Sequence, residues 1–144
     1  CGKTTFRILE DPLHREILED HARSPGHQSS LEQPNGQSVW KSPKTGNTCS
    51  VAIVAEDGGI TEIQAKVAGS ALAIASSSLM GSAVEGITVE EALGLAESLI
   101  EFLEEGKETS LPGDLVVYQS IARFPERHDC AMLPWRALVL ALKS

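Results

Sequence analysis

Residues 48 to 68 alternate apolar and polar side chains in two runs separated by a glycine-rich turn, a pattern that only an antiparallel hairpin accommodates well. In the first run, Thr48 to Ala55, the residues Cys49, Val51, Ile53 and Ala55 share one face. In the second, Ile60 to Ala68, the residues Ile63, Ala65 and Val67 oppose Glu62, Gln64 and Lys66. This period of two is that of a half-buried strand. Glu56-Asp57-Gly58-Gly59 between the runs has the composition of a tight hairpin turn. Such a hairpin has one apolar face to cover, and the rest of the chain must cover it.

The remaining signals are helical. Asp11-Pro12 supplies a cap and a first-turn proline, and Leu13, Ile17 and Leu18 form a stripe up to about Arg23, before Ser24-Pro25-Gly26 ends the helix. Residues 24 to 47 are rich in Ser, Pro, Gly, Asn and Gln and read as a long loop with room for a short strand near Val39-Trp40. Gly69-Ser70 leads into a small-residue helix, Ala71 to about Val84, whose Ser76-Ser77-Ser78 run and Gly81 permit close backbone packing. Thr88-Val89-Glu90-Glu91 is a capping box opening a helix with Leu93, Ala96, Leu99, Ile100 and Leu103. A polar connection, Glu105 to Gly113, precedes a short helix from Asp114 to Ala122, and a last helix runs from Cys130 with Pro134 in its first turn. One helix, a hairpin and then helices predict an α+β domain with helices packed on one face of a small antiparallel sheet.

The 144 residues, 42% of them apolar, suit a single domain spanning 1–144, with residues 1–10 as a flexible lead-in. Twenty acidic against twelve basic residues give a net charge of −8, which disfavours nucleic acid and anionic membranes and suits a basic protein partner. No apolar run approaches the roughly 20 residues of a membrane span, and no secretion signal opens the chain. The expected location is the cytoplasm. Cys1, Cys49 and Cys130 are odd in number and form no CxxC pair, so neither a disulfide framework nor a zinc finger is indicated.

Cys130 is the best candidate for a reactive or metal-binding thiol, because the start of a helix favours a thiolate. Arg127, His128 and Asp129 are its neighbours, and Asp129 works against ionisation. A buried, inert cysteine is the competing reading at this position. Cys49 shares strand parity with Val51 and Ile53 and reads as core. Ser70 with His128 raises a hydrolase reading, but the second glycine of a G-x-S-x-G elbow is missing, and a serine at a helix start commonly serves as its cap. His14, His21 and His27, spaced by seven and six, do not place all three on one helical face and read as surface residues. Pro43-Lys44-Thr45-Gly46-Asn47 leads into a strand and is not a phosphate-binding loop.

Three segments carry a family resemblance. Leu13-His14-Arg15-Glu16-Ile17-Leu18-Glu19-Asp20-His21-Ala22-Arg23-Ser24-Pro25, Ala73-Ile74-Ala75-Ser76-Ser77-Ser78-Leu79-Met80 and Phe124-Pro125-Glu126-Arg127-His128-Asp129-Cys130-Ala131-Met132-Leu133-Pro134-Trp135 resemble the opening helix, the second-cysteine helix and the third-cysteine motif of SufU-type members of the IscU/NifU N-terminal iron–sulfur scaffold family. The polar insertion at 105–115 is similar to SufU rather than to the shorter IscU type.

The resemblance implies zinc binding or cluster assembly by a cysteine and an aspartate in a Pro-x-Cys-Gly-Asp loop, a cysteine after a glycine, and a third cysteine. By that correspondence Thr45 replaces the first cysteine, Asn47 the aspartate and Ser70 the second cysteine, while Cys130 remains. Arg127 matches an arginine of the third motif that lies close to the metal-site region in the family; a salt bridge at the helix start is its alternative role. The resemblance also implies a Suf-type cysteine desulfurase as partner, passing persulfide sulfur to the loop cysteine, a step that threonine cannot perform.

The residues therefore point to a ligand-degenerate, non-catalytic scaffold homologue acting by protein–protein interaction, with no cofactor expected; zinc or a cluster would require rescue of the site. The alternatives are an active scaffold or sulfur acceptor using Cys130 with partner-supplied ligands, and a Ser70/His128 hydrolase.

Overall fold

The structure, a computed structural model, describes residues 11–27 and 31–143. Residues 1–10, including Cys1, lie outside the described residues. The elements run α1 (Pro12–Arg23), β1 (Gly36–Lys41), β2 (Thr48–Glu56), β3 (Gly59–Ala68), α2 (Ala71–Val84), α3 (Val89–Glu105), a 3₁₀ turn (Gly113–Val117), α4 (Tyr118–Ile121), a second 3₁₀ turn (Pro125–Arg127) and α5 (His128–Lys143).

The expected hairpin is present. β2 and β3 pair antiparallel and close at Glu56 opposite Gly59, leaving Asp57 and Gly58 as a two-residue turn with φ of 53° and 81°. Positive φ at both turn positions matches the right-handed twist of the strands, which is why Asp-Gly stands there. The segment expected as a loop holds a full third strand: β1 pairs with β2 from Gly36 opposite Ile53 to Lys41 opposite Thr48, giving the sheet order β1-β2-β3 among the described residues.

Cys49, Val51, Ile53, Ile60, Ile63 and Ala65 form the buried sheet face. The helices cover it: α5 lies on β1 and β2, α2 lies on β3, α1 packs on α2, and α3 packs on α5. The architecture is α+β, with the helical layer on one side of the sheet. α2 is central, with Ser76, Ser77 and Ser78 buried alongside its apolar residues. A helix surrounded on all sides needs small side chains where neighbours approach and partners for any hydroxyl it buries. Ser76 Oγ meets that need with the Ala131 carbonyl and the Tyr118 hydroxyl, each at 2.6 Å.

Four expectations are corrected. α1 does not bury Leu13, which is 61% exposed; it turns Leu18 and the half-buried His14 and His21 towards the core. Those three positions, i, i+4 and i+7, lie on one helical face. The histidines are thus not surface residues: His14 Nδ1 meets Ser120 Oγ at 2.6 Å, His21 Nδ1 meets Ser78 Oγ at 2.7 Å, and His27 lies 3.6 Å from Glu85. The helix expected over 114–122 divides into the 3₁₀ turn and α4, which together bury Leu115, Val117, Tyr118 and Ile121. Finally, α5 begins at His128, two residues earlier than expected, so Pro134 lies inside it. Proline has no N–H to donate to the Cys130 carbonyl one turn back.

The capping box opening α3 is complete, with Glu91 N donating to Thr88 Oγ1 at 3.0 Å and Thr88 N donating to Glu91 Oε1 at 3.1 Å. Thr88→Ala is expected to lower the unfolding free energy by about 1 kcal/mol. Urea unfolding would show this as a lower midpoint at unchanged slope; an unchanged midpoint would mean that α3 is held by tertiary packing alone.

Candidate functional site

The loop between β1 and β2 is built around Ser42. Its backbone closes the loop, with Ser42 N donating to the Asn47 carbonyl at 2.8 Å and Gly46 N donating to the Ser42 carbonyl at 2.9 Å. The buried Ser42 Oγ accepts the N–H groups of Lys44 and Thr45, both at 3.2 Å, and donates in a short hydrogen bond to Asp129 Oδ2. Asp129 is in the first turn of α5, where backbone N–H groups favour a carboxylate. Pinning the loop to this turn carries Thr45 and Asn47 to α5.

Thr45 Oγ1 contacts Asp129 Oδ2 at 3.5 Å and accepts Asn47 N–H at 3.2 Å. The Asn47 side chain then passes between two of the remaining positions. Its Nδ2 donates to Cys130 Sγ at 3.7 Å, and its Cγ takes up the room that a Cβ on Gly69 would need. Only glycine fits at 69 without displacing the amide. Ser70, the next residue, caps α2 by accepting Ala73 N–H at 3.2 Å. The structure therefore brings Thr45, Asn47 and Cys130 together directly, and reaches Ser70 through Gly69.

Cys130 is 3% exposed. Cys49 lies in the core, where burial pushes its thiol up to about 12 and leaves it a poor nucleophile. His128 is anchored elsewhere: its Nε2 donates to the Ala122 carbonyl at 2.9 Å, while Ser70 Oγ serves α2, so each member of the proposed hydrolase pair has its own structural partner. Arg127, in the second 3₁₀ turn, buries Nε without a hydrogen-bond partner among the described residues. Ser42 is absent from the sequence-based candidates, and the role of Asp129 as the anchor of its loop is an addition to them. The Ser-Pro-Lys-Thr-Gly order was a usable signal, since a serine hydroxyl readily accepts N–H groups two and three residues on.

A closed zinc or iron site needs deprotonated thiolate, imidazole or carboxylate donors. Two hydroxyls, one amide and one thiol do not form such a set, and the hydroxyls and the amide already have partners within the protein. Among the described residues no group of three or more His, Cys, Asp or Glu is arranged to hold a metal ion, and no helix is long and apolar enough to cross a membrane. A groove of about 640 Å³ adjoins the cluster, lined in part by Trp40, Lys44, His128, Met132 and Arg136.

Comparison with known proteins identifies the family and the fold. The NifU-like N terminal domain family matches residues 13–143. The iron-sulfur cluster assembly scaffold protein IscU of Streptococcus pyogenes is 31% identical over 134 residues, covering 91% of this chain and 83% of that protein. The zinc-dependent sulfurtransferase SufU of Bacillus subtilis is 27% identical over 137 residues, covering 93% of this chain and 92% of that protein. A putative iron-sulfur cluster assembly scaffold protein for the SUF system from Fervidobacterium islandicum superposes with a TM-score of 0.81 at 22% identity, over 88% of this chain and 94% of that one; at that identity the likeness speaks for the fold. With a family match that runs through the hairpin, the Ser42 loop and the first turn of α5, this chain belongs to the NifU-like N-terminal domain family of IscU- and SufU-type iron–sulfur cluster assembly scaffolds.

Proposed function

We propose that the chain is a ligand-degenerate, non-catalytic member of this family that works by protein–protein interaction, with a Suf-type cysteine desulfurase as its partner. The observation that carries the reading is the hydrogen-bonded cluster at the ligand positions. Thr45 and Asn47 are engaged with Asp129 and Cys130, which gives the loop a fixed shape from neutral side chains where the family resemblance places a metal. Threonine cannot carry a persulfide, so sulfur handed to position 45 has no acceptor. The groove beside the cluster, with the half-buried Trp40 among its lining residues, offers a partner an aromatic contact.

The test is zinc and iron content per chain after purification without chelator, repeated after anaerobic reconstitution with iron and sulfide. Metal near zero in a cooperatively folding protein is expected. Near-stoichiometric metal that disappears in Cys130→Ala would overturn the proposal. Size-exclusion chromatography with the desulfurase is then expected to show a complex, and mass spectrometry to show no gain of sulfur on this chain. A sulfur adduct on Cys130 would instead support the reading of an acceptor completed by its partner.

A further inference from the structure

A second constellation lies away from the ligand positions. His14 on α1 and Ser120 in α4 are 106 residues apart, yet His14 Nδ1 meets Ser120 Oγ at 2.6 Å. Across the ring, His14 Nε2 lies 3.6 Å from Asp11 Oδ2. Asp11 is held in place by its role as N-cap, since Oδ1 accepts the N–H groups of Leu13 and His14 at 2.9 and 3.2 Å. A carboxylate facing Nε2 favours the tautomer protonated there and leaves the Nδ1 lone pair to accept the Ser120 hydroxyl proton. The His14 side chain is 12% exposed, so the base is shielded from competing water. All three residues line a cavity of about 370 Å³ with Gln119, Arg123 and Phe124, a size in the usual range for small-molecule sites.

The comparison with His21 shows what is particular to Ser120. His21 also joins a serine, Ser78 at 2.7 Å, to a carboxylate, Asp114 at 3.8 Å. Ser78, however, is 2% exposed and its Oγ already accepts Gly26 N–H at 3.0 Å. No acyl group can reach it. Ser120 is half-buried and opens onto the cavity.

We propose that Ser120 is the nucleophile of a hydrolytic site for small esters that carry an anionic group, with His14 as general base and Asp11 as the residue that positions His14. Ser120 Oγ attacks the acyl carbon as its proton passes to His14 Nδ1. The bond from the acyl carbon to the leaving oxygen breaks, and the departing alcohol takes that proton from His14. Water then attacks the acyl-serine, again giving a proton to His14, and release of the acid returns that proton to Ser120. Water is the single co-reactant. Arg123, three residues beyond Ser120, brings a guanidinium to the cavity for the anionic group. Gln119 contributes an amide donor for the developing oxyanion, and Phe124 an apolar wall.

The experiment uses the purified full chain, a fluorophosphonate probe and two chromogenic esters, p-nitrophenyl acetate and mono-p-nitrophenyl succinate. Phosphonylation mapped to Ser120 is expected, with a nitrophenolate burst approaching one per chain and faster acylation by the succinate ester. Ser120→Ala is expected to abolish the label, and His14→Gln to slow acylation about 100-fold. Asp11→Asn keeps the cap, because asparagine caps as well as aspartate, and is expected to slow acylation and to shift its pH profile without changing the urea midpoint. A folded wild-type chain with no Ser120 label above the Ser120→Ala background would overturn the proposal, leaving the His14–Ser120 bond as a tether between α1 and α4. That outcome is read on the wild-type protein and does not depend on any variant folding.

Discussion

Replacing Thr45 with Cys, Asn47 with Asp and Ser70 with Cys in one variant is expected to turn this chain into a tight zinc binder. The argument is one of donors rather than of fold. Asn47 already approaches Cys130 Sγ at 3.7 Å, and Gly69, lacking a Cβ, already makes room for the side chain at position 47. Changing three neutral donors to two thiolates and a carboxylate supplies the charge that zinc requires, and structural sites of this kind reach apparent binding energies of roughly 10 kcal/mol or more.

Without metal, the variant should be less stable than wild type. It loses the Ser70 cap of α2, at about 1 kcal/mol, and sets a new carboxylate beside Cys130. Saturating zinc should then raise stability, because binding to the folded state alone adds RT ln(1 + [L]/Kd). Competition with a chromophoric chelator measures the affinity, and cobalt substitution reports thiolate ligation in its absorption spectrum. If the folded variant takes up no more zinc than wild type, then these four positions do not converge on one ion, and the correspondence with the family ligands fails.

The largest stability effect is expected at Trp135. Its indole is fully buried, packs edge-on to Tyr118 at 6.4 Å between ring centroids, and donates Nε1–H to the Tyr118 hydroxyl at 3.0 Å. That hydroxyl also meets Ser76 Oγ, which donates to the Ala131 carbonyl. The three side chains thus join α2, α4 and α5 through one satisfied polar network. Trp135→Ala should cost about 3–5 kcal/mol, a large share of the roughly 5–15 kcal/mol typical of a domain.

Tyr118→Phe removes the acceptor of a buried N–H and should cost about 1–3 kcal/mol. Burial pushes the Tyr118 hydroxyl up to about 12, so the stability gained by keeping it neutral is complete below its ordinary value of 10 and is lost as pH rises towards 12. Urea unfolding at neutral pH measures both variants; a loss below 1 kcal/mol for Trp135→Ala would mean that the three helices are not joined through this residue.

The legible parts of the fold were those with a local cause. The hairpin follows from alternation and an Asp-Gly turn, and α3 from a capping box, because each is specified within a few residues of chain. β1 was legible only as a short strand inside a loop, since Gln37, Ser38 and Lys41 have no strand signal of their own and gain it by pairing with Ala52, Val51 and Thr48. The inward turn of α1 was hidden for a related reason. A histidine at a core-facing position reads as polar until Ser78 and Ser120, distant in the chain, are found opposite it. Pro134 misled the start of α5, because a helix carried by the burial of Cys130, Leu133, Trp135 and Leu138 tolerates a proline that isolated propensity would place in its first turn.

Residue type and short-range spacing suffice for the α+β class, the order of the main helices and the absence of anionic donors at positions 45, 47 and 70. What those neutral residues do is settled by packing between distant segments. Asp129 anchors the Ser42 loop, Asn47 fills the space over Gly69 and donates to Cys130, and Asp11, His14 and Ser120 meet at one cavity. Each of these contacts except the Asp11–His14 pair joins residues distant in the chain, and such contacts depend on how the helices seat on the sheet, which no local pattern encodes.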